Sequence, residues 1–263
     1  MGKERSSGRE KLTAKRKALK AWKKNRDSGL RCKMEIAGLK KTSLVDYPGT
    51  ISAVIFLSGC NFRCGFCHNP SVVFGKSAKI DEKEVMDFLE RRKRVLEGVC
   101  VTGGEPTIHD NLPMLLKKIK SMGFLAKLDT NGTNPEMLKK IIEENIVDYV
   151  AMDIKAPLET YSFAANADVN IKKIKESMRI LMESKIKYEF RMTLLPKFVS
   201  IESFKEICEM LKGAKRFYIQ QFEKGSEMID CAFKSEKAYT KEELNEFLNV
   251  AKEYFEECGI RNA

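Results

Sequence analysis

Short apolar runs alternate with helical patterns along most of this chain. The runs are rich in β-branched residues and predict buried strands. In the segments between them, apolar residues recur at the spacing of amphipathic helices. The six predicted strands are residues 51–57, 98–102, 125–129, 149–153, 188–194 and 217–222.

Capping residues mark where the predicted helices begin. Asp81, Asn134, Ser200 and Thr240 each stand at an expected N-cap position, and Gly123 follows a helical pattern in the C′ position. Six βα units therefore follow one another and predict a parallel sheet with right-handed crossovers. A complete eight-unit barrel would need more chain, so an incomplete barrel and a doubly wound open sheet both stay open.

The length and composition predict one domain and a separate basic segment. The chain has 263 residues, of which 43% are apolar, enough for a single core. Residues 1–33 hold 13 Lys and Arg against 3 Asp and Glu, whereas residues 34–263 hold 35 against 34. We expect 1–33 to be a disordered or partly helical extension and 34–263 to be the core domain.

The extension could be an arm that steers binding to nucleic acid or to an acidic partner. We favour a dispensable segment, with Met34 at the composition break as a candidate native start. Nucleic acid is therefore not an expected partner. The sequence shows neither a long apolar run nor a secretory signal, so we expect a cytoplasmic protein with no membrane partner.

Three cysteines follow the first predicted strand directly. Cys60, Cys64 and Cys67 lie on the loop that leaves its carboxyl end, whereas the other five cysteines show no mutual metal-ligand spacing. Zinc would need a fourth ligand, and His68 could not easily bind the same ion as Cys67. Residues 64–68 fit c-type haem attachment, which normally requires export. The spacing favours an iron–sulfur cluster with three protein ligands and one open iron over these alternatives and over a disulfide scaffold.

Polar motifs also follow the next three predicted strands. They are residues 102–106 (TGGEP), residues 129–132 (DTNG) and residues 153–155 (DIK). Adjacent glycines allow close approach of a ligand to the backbone and leave amides and carbonyls to pair with it. Each motif alone could be an ordinary turn. Together they predict one convergent site at the carboxyl ends of the strands.

The cysteine loop, CNFRCGFC at residues 60–67, resembles the CxxxCxΦC signature of the radical S-adenosylmethionine (SAM) superfamily. The GGEP turn is similar to that superfamily's motif for the SAM amino group. The CHNP continuation, DTNG and DIK resemble the organic-radical-activating enzymes. Residues 38–64, GLKKTSLVDYPGTISAVIFLSGCNFRC, resemble in particular the activators of anaerobic ribonucleoside-triphosphate reductase. The resemblance implies an α/β fold, a parallel (β/α)6 partial TIM barrel.

The resemblance also implies ligands. Cys60, Cys64 and Cys67 would hold a [4Fe-4S] cluster, and Asp129 with Asp153 would help to hold a monovalent cation beside the SAM carboxylate. The activator of pyruvate formate-lyase has a histidine for SAM near strand six, where this chain reads QQFE at 220–223, so no contact is implied there. The implied SAM-binding residues are Phe66, Cys67, His68, Gly103, Gly104, Glu105, Asp129, Asn131, Asp153, Ile154 and Lys155.

The implied function is that of an oxidoreductase of the glycyl-radical-enzyme activating type. One electron from the cluster would split SAM into methionine and a 5′-deoxyadenosyl radical, which would take hydrogen from a backbone glycine of a partner enzyme. The implied partners are a glycyl radical enzyme and a flavodoxin- or ferredoxin-like electron donor. The alternatives are a radical SAM enzyme that modifies a small molecule or nucleic acid, and a non-catalytic redox or metal-binding module. The motifs after strands two to four count against the module.

Overall fold

The computed structural model describes residues 34–225 and 227–261, so the prediction for residues 1–33 lies outside the described residues. Its main feature is an eight-stranded sheet in which the strands follow one another in chain order. The strands are β1 (Ile36–Ser43), β2 (Ser52–Leu57), β3 (Gly98–Gly103), β4 (Leu125–Thr130), β5 (Tyr149–Ile154), β6 (Lys187–Leu194), β7 (Arg216–Gln221) and β8 (Glu257–Arg261).

Helices connect the parallel strands, and the predicted caps are confirmed. The side chains of Asp81, Asn134, Ser200 and Thr240 each accept a hydrogen bond from a backbone amide in the first turn of a helix. The helices are α1 (Pro70–Val73), α2 (Glu82–Arg92), α3 (Leu112–Ser121), α4 (Pro135–Glu143), α5 (Tyr161–Ala165), α6 (Ile171–Glu183), α7 (Ile201–Met210) and α8 (Lys241–Lys252).

The strand order decides between the two architectures that the sequence left open. Strands β2 to β8 are parallel, and each lies beside its predecessor, so the order never reverses as it would in a doubly wound sheet. The predicted partial-barrel fold is therefore confirmed. Among the helices of the described residues, none is both long and apolar enough to cross a membrane.

Two strands were not predicted, and both lie at the edges of the sheet. Strand β1 pairs antiparallel with β2 and contains two irregularities in its register, and its residues 40–42 are exposed. Strand β8 pairs parallel with β7, and its residues are at most half-buried. An edge strand does not need a continuous apolar run, since it has a neighbour on one side only. The sequence signal for both was therefore weak.

Candidate active site

A cavity of about 360 Å³ opens at the carboxyl ends of the parallel strands, within the size range of small-ligand sites. Ile154 does not line it, because its side chain is buried in the core at 1% exposure. The other predicted site residues do: Cys60, Cys64, Phe66, Cys67, His68, Gly103, Gly104, Glu105, Asp129, Asn131, Asp153 and Lys155. The four strand-end motifs thus meet at one place, as predicted.

The end of strand β7 also reaches this cavity. Residues 220–223, for which the resemblance supplied no ligand contact, line the cavity, and so does Thr193 at the end of β6. Thr193, Gln220 and Gln221 are polar and lie in predicted strands, but nothing in their sequence marks them as ligands. The signal that could have found them is their position at the carboxyl ends of strands five and six of the predicted barrel.

Distant segments of the chain hold the cysteine loop in place. The amide of Gly59 donates to the Val72 carbonyl at 2.8 Å, and the amide of Arg63 donates to the Ala165 carbonyl at 2.8 Å. On the other side, the Asp230 amide donates to the Gly65 carbonyl at 3.0 Å. The loop is therefore fixed by backbone bonds to three other segments, which orients three thiols toward the cavity.

Burial sets the protonation of two of these thiols. It raises the pKa of Cys60 to about 12, with a further contribution from the charge of Glu105, and the pKa of Cys64 to about 11. Iron must therefore displace protons to bind thiolates here. Within the described residues, no three His, Cys, Asp or Glu side chains converge on one ion. The cysteines of a cluster bind different irons and need not converge, so the donor set fits a three-cysteine cluster.

Gly103, which ends β3, and Gly104, which follows it, have a packing role that was not predicted from the sequence. The amide of Gly104 donates to the Leu57 carbonyl and that of Glu105 to the Gly59 carbonyl, both at 2.9 Å, so these amides are not available to a ligand. A Cβ on Gly104 would lie 1.9 Å from the Gly59 oxygen. The glycines therefore allow the turn to pack against the cysteine loop, and only carbonyls are left to accept from an amino group.

Glu105 is braced by the chain itself. Its carboxylate accepts hydrogen bonds from the Thr107 amide at 3.0 Å, the Thr130 hydroxyl at 2.7 Å and the Asn131 amide at 2.6 Å. Burial raises its pKa, although these hydrogen bonds act in the opposite direction. The side chain therefore connects the end of β3 to the end of β4. Its main role is to hold these two strand ends in position beside the cavity.

A chain of polar side chains connects the cysteine loop to the DTNG motif. The side-chain amide of Asn131 donates to the Asn61 oxygen at 2.8 Å, and the amide of Asn61 donates to the Thr133 hydroxyl at 2.8 Å. The Thr133 hydroxyl donates in turn to the Asn131 oxygen at 2.7 Å. Asn131, predicted as a ligand residue, therefore also orients the loop that carries the cysteines.

Five charged side chains form what we call the cavity charge group: Asp129, Asp153, Lys127, Lys155 and Arg191. Lys127 pairs with Oδ1 of Asp129, and Arg191 lies 3.4 Å from Oδ2. Arg191 Nε donates to Oδ1 of Asp153 at 2.9 Å, and Lys155 Nζ donates to Oδ2 at 3.1 Å. Every oxygen of both carboxylates thus has a cationic partner in the chain.

These ion pairs determine the charge states of Asp129 and Asp153. Burial alone would raise the pKa of Asp153, but Arg191 and Lys155 outweigh it and lower that pKa to about 2. Asp129 follows the same pattern, since Arg191 and Lys127 hold its pKa below the usual value despite burial. Both carboxylates are therefore ionised at neutral pH.

Sequence analysis missed Lys127 and Arg191. Both lie inside predicted strands, where an apolar pattern predicts a strand without indicating a site. A charged residue two positions before Asp129 on the same strand faces the same side, which was a usable signal for Lys127. The chain's other histidine, His109, does not line the cavity. Its ring is buried, and Nε2 lies 2.9 Å from the Ser58 carbonyl oxygen, within hydrogen-bonding distance.

A sequence profile of the radical SAM superfamily matches residues 54–211, which include the cysteine loop and the ends of β2 to β6 at the cavity. The chain belongs to the radical SAM superfamily. The resemblance of the cysteine loop and the strand-end motifs to this superfamily is therefore confirmed.

Two relatives of this radical SAM protein carry names of activating enzymes. One, from Methanocaldococcus jannaschii, has the provisional name glycyl-radical enzyme activating enzyme and is 31% identical over 234 residues, 86% of this chain and 95% of the relative. The pyruvate formate-lyase-activating enzyme of Clostridium pasteurianum is 32% identical over 126 residues, 46% of this chain and 52% of the relative. These names agree with the predicted class of enzyme.

A solved structure shares the fold. Streptococcus suis SuiB, crystallised with S-adenosylmethionine, superposes with a TM-score of 0.62 over 79% of this radical SAM protein and 52% of the SuiB chain. At 14% sequence identity, this likeness concerns the fold alone.

Proposed function

We propose that this radical SAM protein is an activase that generates a glycyl radical on a partner enzyme. The observation that carries the proposal is the convergence of the three cysteines with the GGEP, DTNG and DIK motifs around one cavity. Similarity over 86% of the chain to a relative named for that activity supports it.

The residues present suit the two cofactors that the proposal requires. Cys60, Cys64 and Cys67 would hold a [4Fe-4S] cluster. The carbonyls of the glycine turn would accept from the SAM amino group, and Lys155, which lines the cavity, would attract the SAM carboxylate. When bound, cluster and SAM supply the one-electron cleavage that yields a hydrogen-abstracting radical.

The protein's own part is to bind and orient SAM and to shield it from water. Phe66 has 9% exposure and packs against Phe198 and Phe233, with ring centroids 5.9 and 6.0 Å away, so it presents a fixed apolar wall to the adenine end of SAM. In the part of the chain that the structure describes, β1 and β8 are not paired with each other. We propose that this open side of the sheet admits a glycine loop of the partner.

Two further expectations remain predictions. A flavodoxin- or ferredoxin-like protein is the expected electron donor, because the cluster must be reduced before each cleavage. The expected location is the cytoplasm.

The test is to incubate the reconstituted protein, SAM and a reductant anaerobically with each glycyl-radical-type enzyme encoded in the same genome. We expect an electron paramagnetic resonance doublet from a glycyl radical on one of them, and no doublet with the Cys64→Ser protein. SAM cleavage with hydrogen taken only from a small molecule or nucleic acid, and no protein radical with any partner, would support the alternative radical SAM function instead.

A further inference from the structure

The cavity charge group contains one more positive than negative charge. Asp129 and Asp153 supply two carboxylates, and Lys127, Lys155 and Arg191 supply three cations. Both carboxylates line the cavity, whereas Lys127 and Arg191 lie behind them and do not line it. Glu105 and Glu223 also line the cavity, so the surplus belongs to this charge group around Asp129 and Asp153 and not to the cavity as a whole.

Lys127 is the residue responsible for the surplus. Its side chain is 1% exposed, and within the described residues its ion pair is with Asp129. Arg191 shares that carboxylate with it. Two uncharged neighbours are the Cys100 sulfur, 3.8 Å from Nζ, and the Tyr149 ring, whose centroid lies 5.9 Å away. An ammonium this deeply buried is tolerated because it is paired.

The arrangement does not fit the monovalent cation that the resemblance implied for Asp129 and Asp153. Each of their four oxygens already has a cationic partner within the chain. A further cation at these carboxylates would be repelled by Lys127, Lys155 and Arg191, which is a strong effect away from bulk water. An added anion would instead neutralise the surplus.

We propose that the Lys127 ammonium takes the place of the expected monovalent cation, so that the cavity binds the SAM carboxylate with the chain's own cations. This inference rests on the proposed binding of SAM. It predicts that SAM binding is independent of the monovalent cation in the buffer. Without Lys127, the group is charge-balanced and Oδ1 of Asp129 loses its partner. A monovalent cation can then bind at that oxygen.

The experiment is a calorimetric titration of anaerobically reconstituted protein with SAM at constant ionic strength. Sodium, potassium or tetramethylammonium is the sole monovalent cation, the last being too large for such a site. For the unaltered protein we expect the same Kd in all three salts to within about twofold. For Lys127→Met we expect Kd to rise about tenfold or more in tetramethylammonium, and to recover in sodium or potassium.

Two additions make the result specific. Lys173→Met removes a charge that pairs with Glu136 on the surface and should leave Kd unchanged in every salt. Thallium(I) nuclear magnetic resonance reports cation binding directly, and we expect a bound signal with SAM only for Lys127→Met.

The unaltered protein alone can overturn the inference, even if Lys127→Met does not fold. A Kd that improves markedly in potassium or sodium, or a bound thallium signal, would show that a monovalent cation is used after all. Failure to bind SAM in any salt would overturn both this inference and the proposed function. Salt-independent SAM binding without a glycyl radical on any partner would overturn the proposed function and leave this inference standing.

Discussion

Two charge groups built around buried carboxylates lie one above the other inside the barrel, and they differ in the balance of their charges. The lower one consists of Glu189, which is fully buried, the Arg261 guanidinium at 2.7 Å from each of its oxygens, and the Tyr149 hydroxyl at 2.6 Å. It has one carboxylate and one cation, and none of these residues lines the cavity. The cavity charge group, one layer higher, carries a surplus positive charge and borders the cavity.

The difference indicates how a buried charge can be assigned a role. A pair in which one cation neutralises one buried carboxylate can be explained by structure alone: here it fastens β8 to β6 through Arg261. A buried group with one unneutralised cation beside a cavity is stabilised when an anionic group of a ligand, such as a carboxylate, pairs with it. The lower pair should therefore govern stability, and the upper group should govern binding.

The largest effect, complete loss of SAM cleavage, is expected when a cysteine that lines the cavity is replaced. Cys60→Ser, Cys64→Ser or Cys67→Ser should each abolish the cluster and with it all SAM cleavage, since each removes one of three iron ligands. Iron and sulfide content, the visible spectrum and 5′-deoxyadenosine formation measure this. Cys208→Ser, a change in the buried core away from the cavity, is the control and should retain the cluster. A stable zinc-containing protein that takes up no iron would contradict the cluster assignment.

Removal of one partner from the lower pair should separate stability from binding. Arg261→Met leaves the Glu189 carboxylate buried without its cation, which should lower the free energy of unfolding by about 3–5 kcal/mol. Urea denaturation measures the loss. The Kd for SAM should stay unchanged below the unfolding transition.

The matched control for that change is the double variant Glu189→Leu with Arg261→Leu. It removes both charges together, so it should recover much of the lost stability, because apolar replacements of a buried ion pair are often tolerated. If Arg261→Met weakened SAM binding as strongly as it lowered stability, the division of roles between the two groups would be wrong.

Gly104→Ala tests the packing of the glycine turn against the cysteine loop. The new methyl group would lie 1.9 Å from the Gly59 oxygen, so one of the two segments must move. We expect a loss of about 1–3 kcal/mol in stability together with reduced cluster content. Gly38→Ala is the control, because its methyl would meet the Phe56 side chain at an ordinary 3.5 Å. Equal cluster content in the two variants would contradict the packing argument.

The smallest effect is a pH dependence that comes from Asp153. Its pKa is lowered to about 2 in the folded protein, below the usual value, so its contribution to stability is fully present above the unfolded pKa and is lost as pH falls towards 2. We expect Asp153→Asn to flatten the acid limb of the stability curve by about 1 kcal/mol, after allowance for partial exposure of the side chain. Urea denaturation between pH 5 and pH 3 measures this. An unchanged acid limb would show that Asp153 is not held ionised by Arg191 and Lys155.

Much of the site could be predicted from the sequence because its parts are local. The cysteine spacing and the DTNG and DIK motifs each lie within a few residues, and each follows an apolar run that identifies a strand. The prediction that the amides after β3 are free for a ligand was wrong, because Gly104 and Glu105 donate theirs to the carbonyls of Leu57 and Gly59, which are distant in sequence. The edge strands β1 and β8 were missed, since partial burial removes the apolar pattern.

By itself, the sequence determined the six central strands, the helix caps and the three cysteine ligands of the predicted cluster, because periodicity, capping and loop spacing act between near neighbours in the chain. Only the tertiary structure decided which charges are balanced. Arg191 reaches Asp129 across 62 positions of sequence, and Arg261 reaches Glu189 across 72. The register between parallel strands fixes those pairings, and it depends on how the whole sheet packs. The pairing of the charges beside the cavity is therefore a property of the fold.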